Sequence, residues 1–466
     1  MSTLGTKNRP LRVAIVGAGP SGFYTADALF KSDIDVTVDM FDRLPTPFGL
    51  LRGGVAPDHQ QMKSIGKYYD RVGTKNADRF QFFGNVEIGK DLSINELKTH
   101  YDTIIYTYGA ESDKKTGLPG ENLKNSHSAR EFVGWYNGHP DYRHYTFDLS
   151  QKSVAIIGQG NVAIDVARIL AKTPEELQSS DIAHYAADAL KQSNVETIYI
   201  IGRRGPVQSA FTSLECKELG ELDECDILVH KEDLVLDKAN TTELEESNKA
   251  QKNYKILEQH ANTPLKGKKK QIEIRYFQSP KEITGTTHVT GLKLDKIKLT
   301  GNAYNQKATP SGDELTLPCG LLFRSIGYKG LPIAGIPNFD EKKGIIPNQD
   351  GRLELSDGSP CYGMYTSGWI KRGPSGVLGT NKPCATTTIK TVLSDLENNQ
   401  ISPCPTPSSD TIKSLLDSRN IRYITYEDWS KLNAIEVQNG QKVGKPREKF
   451  TSIEDILSAL KEKILN

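Results

Sequence analysis

Two glycine-rich turns hold the residues best suited to chemistry. Gly17-Ala18-Gly19-Pro20-Ser21-Gly22 is a complete G-x-G-x-x-G, and Gly158-Gln159-Gly160-Asn161-Val162-Ala163 is its G-x-G-x-x-A variant. In such a turn the first glycine makes a tight reversal, the second lets backbone approach a pyrophosphate, and the third lets helix pack on strand. Unpaired N–H groups and the dipole at the helix start favour the anion. Asp42 stands 25 residues after Gly17, where a carboxylate accepts hydrogen bonds from ribose hydroxyls. The matching place in the second unit is Gly202-Arg203-Arg204-Gly205. An acid there would repel a 2′-phosphate, whereas two guanidiniums grip it through bidentate, charge-assisted bonds. The first turn, through Gly17, Gly19, Gly22 and Asp42, is therefore expected to hold a dinucleotide with a free ribose, such as FAD. The second, with Arg203 and Arg204, is expected to hold NADP(H).

Two dinucleotides in neighbouring folds point to hydride transfer from nicotinamide to flavin, in which the cofactor rings carry the chemistry. That step needs no protein acid, base or nucleophile, and no Ser/His/Asp constellation stands out. The segment Trp369-Ile370-Lys371-Arg372-Gly373-Pro374-Ser375-Gly376-Val377-Leu378 is the candidate for the cleft, because its glycines allow close backbone approach to a flat ring. Trp369 would lie against the nicotinamide or fill a domain interface, and the two uses are compatible. Asp58 and His59 follow the glycine-rich Arg52-Gly53-Gly54-Val55-Ala56-Pro57 and are the candidates for a proton relay. A lone histidine is more often packed than catalytic.

The electrons on a reduced flavin need an outlet. The six cysteines (Cys216, Cys225, Cys319, Cys361, Cys384 and Cys404) include no C-x-x-C, so neither a redox dithiol nor a cluster or zinc spacing is expected. The nine histidines include no H-x-x-x-H, and no metal site is expected. Flavin can release electrons singly, which makes a separate one-electron carrier protein the expected acceptor. A small molecule such as a quinone is the alternative, and a redox-silent dinucleotide-binding scaffold is the alternative outside enzymes. Iron–sulfur ferredoxins are typically acidic, so a basic face would steer one. Lys266-Gly267-Lys268-Lys269-Lys270, with Arg203, Arg204 and Arg275, could form that face; a solvated loop is an equal reading of the lysine run.

These residues need elements to position them. Residues 12–16 (RVAIV) and 153–157 (SVAII) read as buried strands running into the two turns. Helices follow, marked by Ala26, Leu29 and Phe30 in one and by Val166, Ile169 and Leu170 in the other. Val36, Val38, Met40 and Phe41 mark the strand that ends at Asp42, and residues 195–201 (VETIYII) its counterpart, delayed by a helical insertion over 174–190. Residues 102–110 and 320–328 each run an apolar strand into a hydroxyl residue, one spacer and glycine, as closing strands before crossings near Gly109 and residues 331–336. Residues 240–253 and 266–270 read as surface insertion, and residues 402–409 as an exposed loop. The expected fold class is α/β with two Rossmann-like domains. An NADP domain (111–333) is inserted into a discontinuous FAD domain (1–110 and 334–466). With 59 Lys+Arg against 58 Asp+Glu, the net charge of +1 makes no electrostatic case for nucleic acid. No run approaches the ~18 apolar residues of a membrane span. Only about ten polar residues precede the first strand, so no transit peptide is expected.

A wider set of motifs carries a resemblance. It comprises Pro47-Phe48-Gly49-Leu50, Val55-Ala56-Pro57-Asp58-His59, Gly84-Asn85-Val86-Glu87, Gly134-Trp135-Tyr136-Asn137-Gly138 and residues 158–168 (GQGNVAIDVAR). It continues through Gly202-Arg203-Arg204-Gly205-Pro206, Ser325-Ile326-Gly327-Tyr328, residues 367–377 (SGWIKRGPSGV) and Gly444-Lys445-Pro446-Arg447-Glu448-Lys449. Over nearly the whole chain the sequence resembles mitochondrial ferredoxin–NADP reductases of the adrenodoxin reductase type, fungal members included. The resemblance implies FAD, NADPH and a [2Fe–2S] ferredoxin serving cytochrome P450, haem A or iron–sulfur cluster pathways. It implies FAD contacts at Ala18, Asp42, Leu50, Ile88, Trp369, Gly376, Val377 and Leu378. NADPH contacts are implied at Gln159, Gly160, Asn161, Val162, Arg203, Arg204, Glu215 and Gly376. It also implies residence in the mitochondrial matrix with peripheral attachment to the inner membrane; of the oligomeric states, left open by the sequence, a monomer is favoured. Two departures stand out: Asp42 replaces the family's usual glutamate, and Gly379-Thr380-Asn381 replaces its Ala-Thr-Thr.

Overall fold

The computed structural model describes residues 4–462. Leu11–Val16 is buried along its whole length, the pattern of a parallel strand covered on both faces. It lies inside a seven-stranded sheet in the order Asn348–Gln349, Arg352–Glu354, Pro360–Thr366, Thr103–Tyr106, Leu11–Val16, Val36–Asp42 and Phe80–Gly84. The last five pair in parallel, and the two short outer strands pair antiparallel. Between Leu11–Val16 and Thr103–Tyr106 the chain order reverses, and ligands bind α/β sheets at such switch points. The helix Pro20–Phe30 starts there, with proline in its first turn, where no N–H partner is needed.

The second sheet has six strands, all in parallel pairs: Ser126–Ser128, Leu321–Arg324, Ser153–Ile157, Thr197–Ile201, Lys270–Arg275 and Cys225–Val229. Helix Asn161–Ala171 packs against it, with Ile164, Val166, Ile169 and Leu170 fully buried. The two passages of the chain between the sheets run side by side, since Ser112–Asp113 pairs antiparallel with Tyr328–Lys329. A three-stranded antiparallel sheet, absent from the sequence reading, is built from Gln278–Thr284, Gly291–Thr300 and Lys307–Pro318. Ile283, Leu292, Leu294 and Leu317 pack it onto Ala155, Ile157, Ile201 and Leu322 of the six-stranded sheet.

One expectation needs correction, and a second is narrowed. Residues 240–253 are not a surface insertion but parts of helices Lys238–Glu246 and Asn248–Asn262. Ala250, Asn253 and Leu257 form the buried face of the second helix, and the Asn253 amide donates to the Phe211 carbonyl at 3.0 Å. The many polar residues of its solvent face masked that stripe. The lysine run does lie at the surface, with Lys266, Gly267 and Lys269 exposed, but two of its side chains are tied down. Lys268 Nζ donates to the Leu222 carbonyl at 2.9 Å, Lys270 Nζ donates to the Leu170 carbonyl at 2.7 Å, and Lys270 opens a central strand. Asp226 accepts the backbone N–H groups of Lys266 and Lys268. Replacing Lys268 and Lys270 by alanine is therefore expected to lower stability by about 1–3 kcal/mol, because carbonyls that are partly buried lose their donors. Urea unfolding should show that loss, and the salt dependence of carrier-protein reduction should stay as it is. A selective loss of carrier reduction in a normally stable variant would restore a docking role.

Candidate dinucleotide sites and the cleft between them

The glycines of the two turns divide their work. A Cβ on Gly17 would sit 2.5 Å from the Tyr108 backbone, and one on Gly158 would sit 2.1 Å from the Ser325 carbonyl oxygen. Both have φ in the left-handed region, +108° and +130°, so these positions require glycine twice over. A Cβ on Gly22 would meet the Gly17 oxygen at 2.2 Å, which fixes how closely the helix approaches the turn. Gly19 and Gly160 instead face open space, with nothing within 4 Å of the built position. That gap beside helix-start N–H groups is a cradle with room for an anion such as a pyrophosphate, and a side chain would block it.

Asp42 lies at the end of its strand, where Oδ2 accepts from the Ala18 N–H at 2.8 Å and Oδ1 from the Leu44 N–H at 2.9 Å. Burial pushes its carboxyl up to about 6 despite those two donors. Each oxygen keeps a lone pair for a ribose hydroxyl, and such donors would bring the group back toward the anion. Arg43, the next residue, bridges Glu111 at 3.2 Å and Asp141 at 2.7 Å. These three side chains line a cavity of about 410 Å³ that also takes Asn85 and Glu87. Ile88 from the same segment turns its side chain into the core beside Leu92 and Ile94.

The expected cleft segment follows strand Pro360–Thr366. Trp369 stacks on Tyr328, with ring centroids 5.6 Å apart, and its indole N–H donates to the Ser375 carbonyl at 3.2 Å. Arg372 Nη2 donates to Thr380 Oγ1 at 3.0 Å and Asn381 Oδ1 at 3.1 Å, fastening the loop to the start of helix Asn381–Glu397. Leu50 and Val377 are left 37% and 52% exposed, two apolar side chains open to a ligand. Ser21 Oγ donates to Ser367 Oγ at 3.2 Å, joining this loop to the first cradle.

At the second turn, where NADP(H) is expected, Asn161 links the turn to helix Ser213–Leu219. Its amide donates to Glu215 Oε1 at 3.0 Å, and its Oδ1 accepts the Thr212 N–H at 2.8 Å. The Gln159 carbonyl accepts from Ala210 and Phe211, at 3.0 and 3.1 Å. Glu215 is buried, and its second oxygen, Oε2, has no partner within the protein. A buried carboxylate oxygen left open in this way points to a donor on a ligand. Arg203 and Arg204 are exposed at the end of Thr197–Ile201, and among the described residues no carboxylate pairs with either. Arg275 is different: it pairs with Glu273 at 2.8 Å and lies over the Tyr199 ring.

Asp58 and His59 meet partners that sequence reasoning missed. Arg168, its side chain 2% exposed, contacts Asp58 at 3.1 Å, Asp165 at 2.7 Å and Glu218 at 2.6 Å. His59 Nε2 is 2.9 Å from Glu218 Oε2 and 2.6 Å from Arg168 Nη1. A guanidinium only donates, so Nε2 either accepts from Arg168 or carries a proton toward Glu218, never both. Burial, the largest single effect, lowers the His59 pKa, but the Glu218 hydrogen bond together with the charges of Asp165 and Asp58 outweighs it, and the net shift is upward. The available signal was Asp165-x-x-Arg168 on a helix otherwise apolar on its buried face.

Comparison with known proteins gives the following. The pattern of the pyridine nucleotide-disulphide oxidoreductase family matches residues 11–330. The chain is 41% identical to the mitochondrial NADPH:adrenodoxin oxidoreductase of Arabidopsis thaliana, over 97% of its own length and 96% of the relative. It is 40% identical to NADPH-ferredoxin reductase FprA of Mycobacterium tuberculosis, over 96% and 99%. The solved structure of that FprA in complex with NADPH aligns with a TM-score of 0.90 at 38% identity, covering 97% of this chain and 100% of the other.

Proposed function

Since this chain belongs to the pyridine nucleotide-disulphide oxidoreductase family, we propose that it is an FAD-dependent NADPH:ferredoxin reductase. The observation that carries the reading is the pair of cradles with opposite ribose ends, Asp42 in one and Arg203-Arg204 in the other, in a chain whose full-length relatives are named for NADPH and for adrenodoxin or ferredoxin. When bound, the two dinucleotides supply hydride transfer and the release of single electrons. The protein binds, orients and shields them. Gly17, Ala18, Gly19, Gly22 and Asp42 hold the FAD pyrophosphate and ribose. Leu50, Ile88, Trp369, Gly376, Val377 and Leu378 form the rest of that site. Gln159, Gly160, Asn161, Val162, Arg203, Arg204, Glu215 and Gly376 receive NADPH. Asp58 and His59 stand where the two halves meet and hold a mobile proton, and no side chain is asked to act as nucleophile.

The same reading divides the chain into 1–110 and 334–466 for FAD and 111–333 for NADP. It takes the acceptor to be a [2Fe–2S] ferredoxin, the protein to be a monomer, and the site of action to be mitochondrial, as the name of the plant relative has it, with peripheral attachment to the inner membrane. The test is anaerobic. Mixing the yellow holoenzyme with NADPH should bleach the flavin band rapidly, and steady-state reduction of a [2Fe–2S] ferredoxin should be faster and more salt-sensitive than reduction of quinones. Absence of bleaching would leave a redox-silent binder. A quinone rate that exceeds the ferredoxin rate at every salt concentration would make the acceptor a small molecule.

A further inference from the structure

A second cavity, of about 830 Å³, lies between helix Gly66–Lys75, helix Tyr426–Lys442 and the chain that follows. None of the residues assigned above to FAD or NADPH lines it. Its volume falls within the range of small-molecule sites. Phe48 and Trp429, with rings perpendicular and centroids 5.6 Å apart, form an apolar wall. The charged lining is unequal: Arg52, Lys63, Lys67, Arg71 and Arg447 face only Asp70 and Asp181.

The imbalance extends to the buried groups that these lining residues touch. Lys63 Nζ and Lys449 Nζ share one carboxylate, Asp181, at 2.6 and 3.6 Å, with side chains 10%, 1% and 5% exposed. Arg52 and Arg447 share another, Glu436, which is wholly buried and which they reach at 2.7 and 3.2 Å. Four cations thus lean on two anions in a place largely closed to water. Buried charge without a counter-charge is costly. A lysine can lose its proton, and burial already lowers Lys63 and Lys449 below the ordinary lysine range. The two guanidiniums cannot. With both lysines protonated the cluster carries two positive charges in excess, so an anion of up to two charges would balance it and hold those protons in place, and a phosphate monoester near neutrality has that charge. Guanidinium and ammonium groups together suit its oxygens, and the wall of Phe48 and Trp429 suits an apolar body.

We infer that this cavity binds a phosphate monoester carrying an apolar group, at a site separate from both dinucleotides. The probe is naphthyl phosphate, titrated calorimetrically into the FAD-loaded enzyme saturated with NADP+. One saturable site is expected, at least tenfold tighter than for inorganic phosphate. Arg447→Gln should weaken it tenfold or more. Arg71→Gln, a change on the exposed rim, should weaken it a few-fold and leave NADPH-driven dye reduction unchanged. Co-sedimentation with phosphatidylcholine vesicles, with and without phosphatidic acid, separates the two sources of such a group. Binding that needs phosphatidic acid and Arg447 identifies a lipid headgroup, whereas binding of the soluble ester alone identifies a metabolite. No saturable binding in the presence of NADP+, or an affinity indifferent to both substitutions, would overturn the inference.

Discussion

Replacing Arg203 and Arg204 together by alanine is expected to weaken NADPH binding by about 10²–10³-fold and to leave NADH almost untouched. A hydrogen bond to a charged group contributes about 1.5–3 kcal/mol, and each 1.4 kcal/mol is tenfold in affinity. Both guanidiniums are exposed, so screening holds the pair near the low end of that sum. The 2′-phosphate is remote from the reacting carbon, so the loss should appear in KM, with kcat little changed. The difference between the two nucleotides should also shrink as salt rises in the parent enzyme, because the contact is ionic and exposed. Steady-state kcat/KM for NADPH and NADH, measured in parent and double variant, checks all three statements. A ratio that survives the double substitution would move the 2′-phosphate site elsewhere.

What the sequence made legible follows from how local the causes are. A turn such as residues 17–22 is dictated by steric limits that act over six positions, so its shape can be read without a structure. The outcome, closed space at Gly17 and Gly22 and open space at Gly19, follows those limits. The contrast between Asp42 and Arg203-Arg204 was readable for the same reason: strand length and the residue at its end are neighbours in sequence. The network around Arg168 is the opposite case. Asp58 and Arg168 are 110 residues apart, and His59 and Glu218 are 159 apart, so no window of sequence contains the pairing. Helix Asn248–Asn262 was hidden by composition, because the buried stripe is a minority of a polar segment. Strand Lys307–Pro318 was hidden by exposure: nearly all of it faces solvent, so it lacks the alternation that marks a half-buried strand.

Arg168→Met should destabilise the protein by about 3–5 kcal/mol at neutral pH, because removing one partner of a buried ion cluster strands the others. Methionine fills comparable space but leaves Asp58, Asp165 and Glu218 without the cation that all three contact. The pH dependence has a definite sign. Burial alone would raise Asp58, and the Arg168 charge is the main force that holds it below the ordinary range. Glu218 is also held low, by the His59 hydrogen bond and then by Arg168. Asp165 is already pushed up to about 6 by burial with the cation present. Without Arg168 all three should rise, and the folded variant will bind protons more readily than the unfolded chain. The penalty should therefore be greatest above pH ~7 and shrink as pH falls toward ~4, the range of unperturbed carboxylates. His59 adds to the same trend. Arg168 opposes its charge, so the variant's imidazolium should titrate higher, with Nε2–H committed to Glu218, and its added stability should be lost as pH rises through that value. Urea unfolding of parent and variant across this pH range measures the first effect, and nuclear magnetic resonance titration of the His59 ring measures the second. A penalty that is flat with pH, or below ~1 kcal/mol at neutrality, would mean that Arg168 does not carry the junction between the two halves.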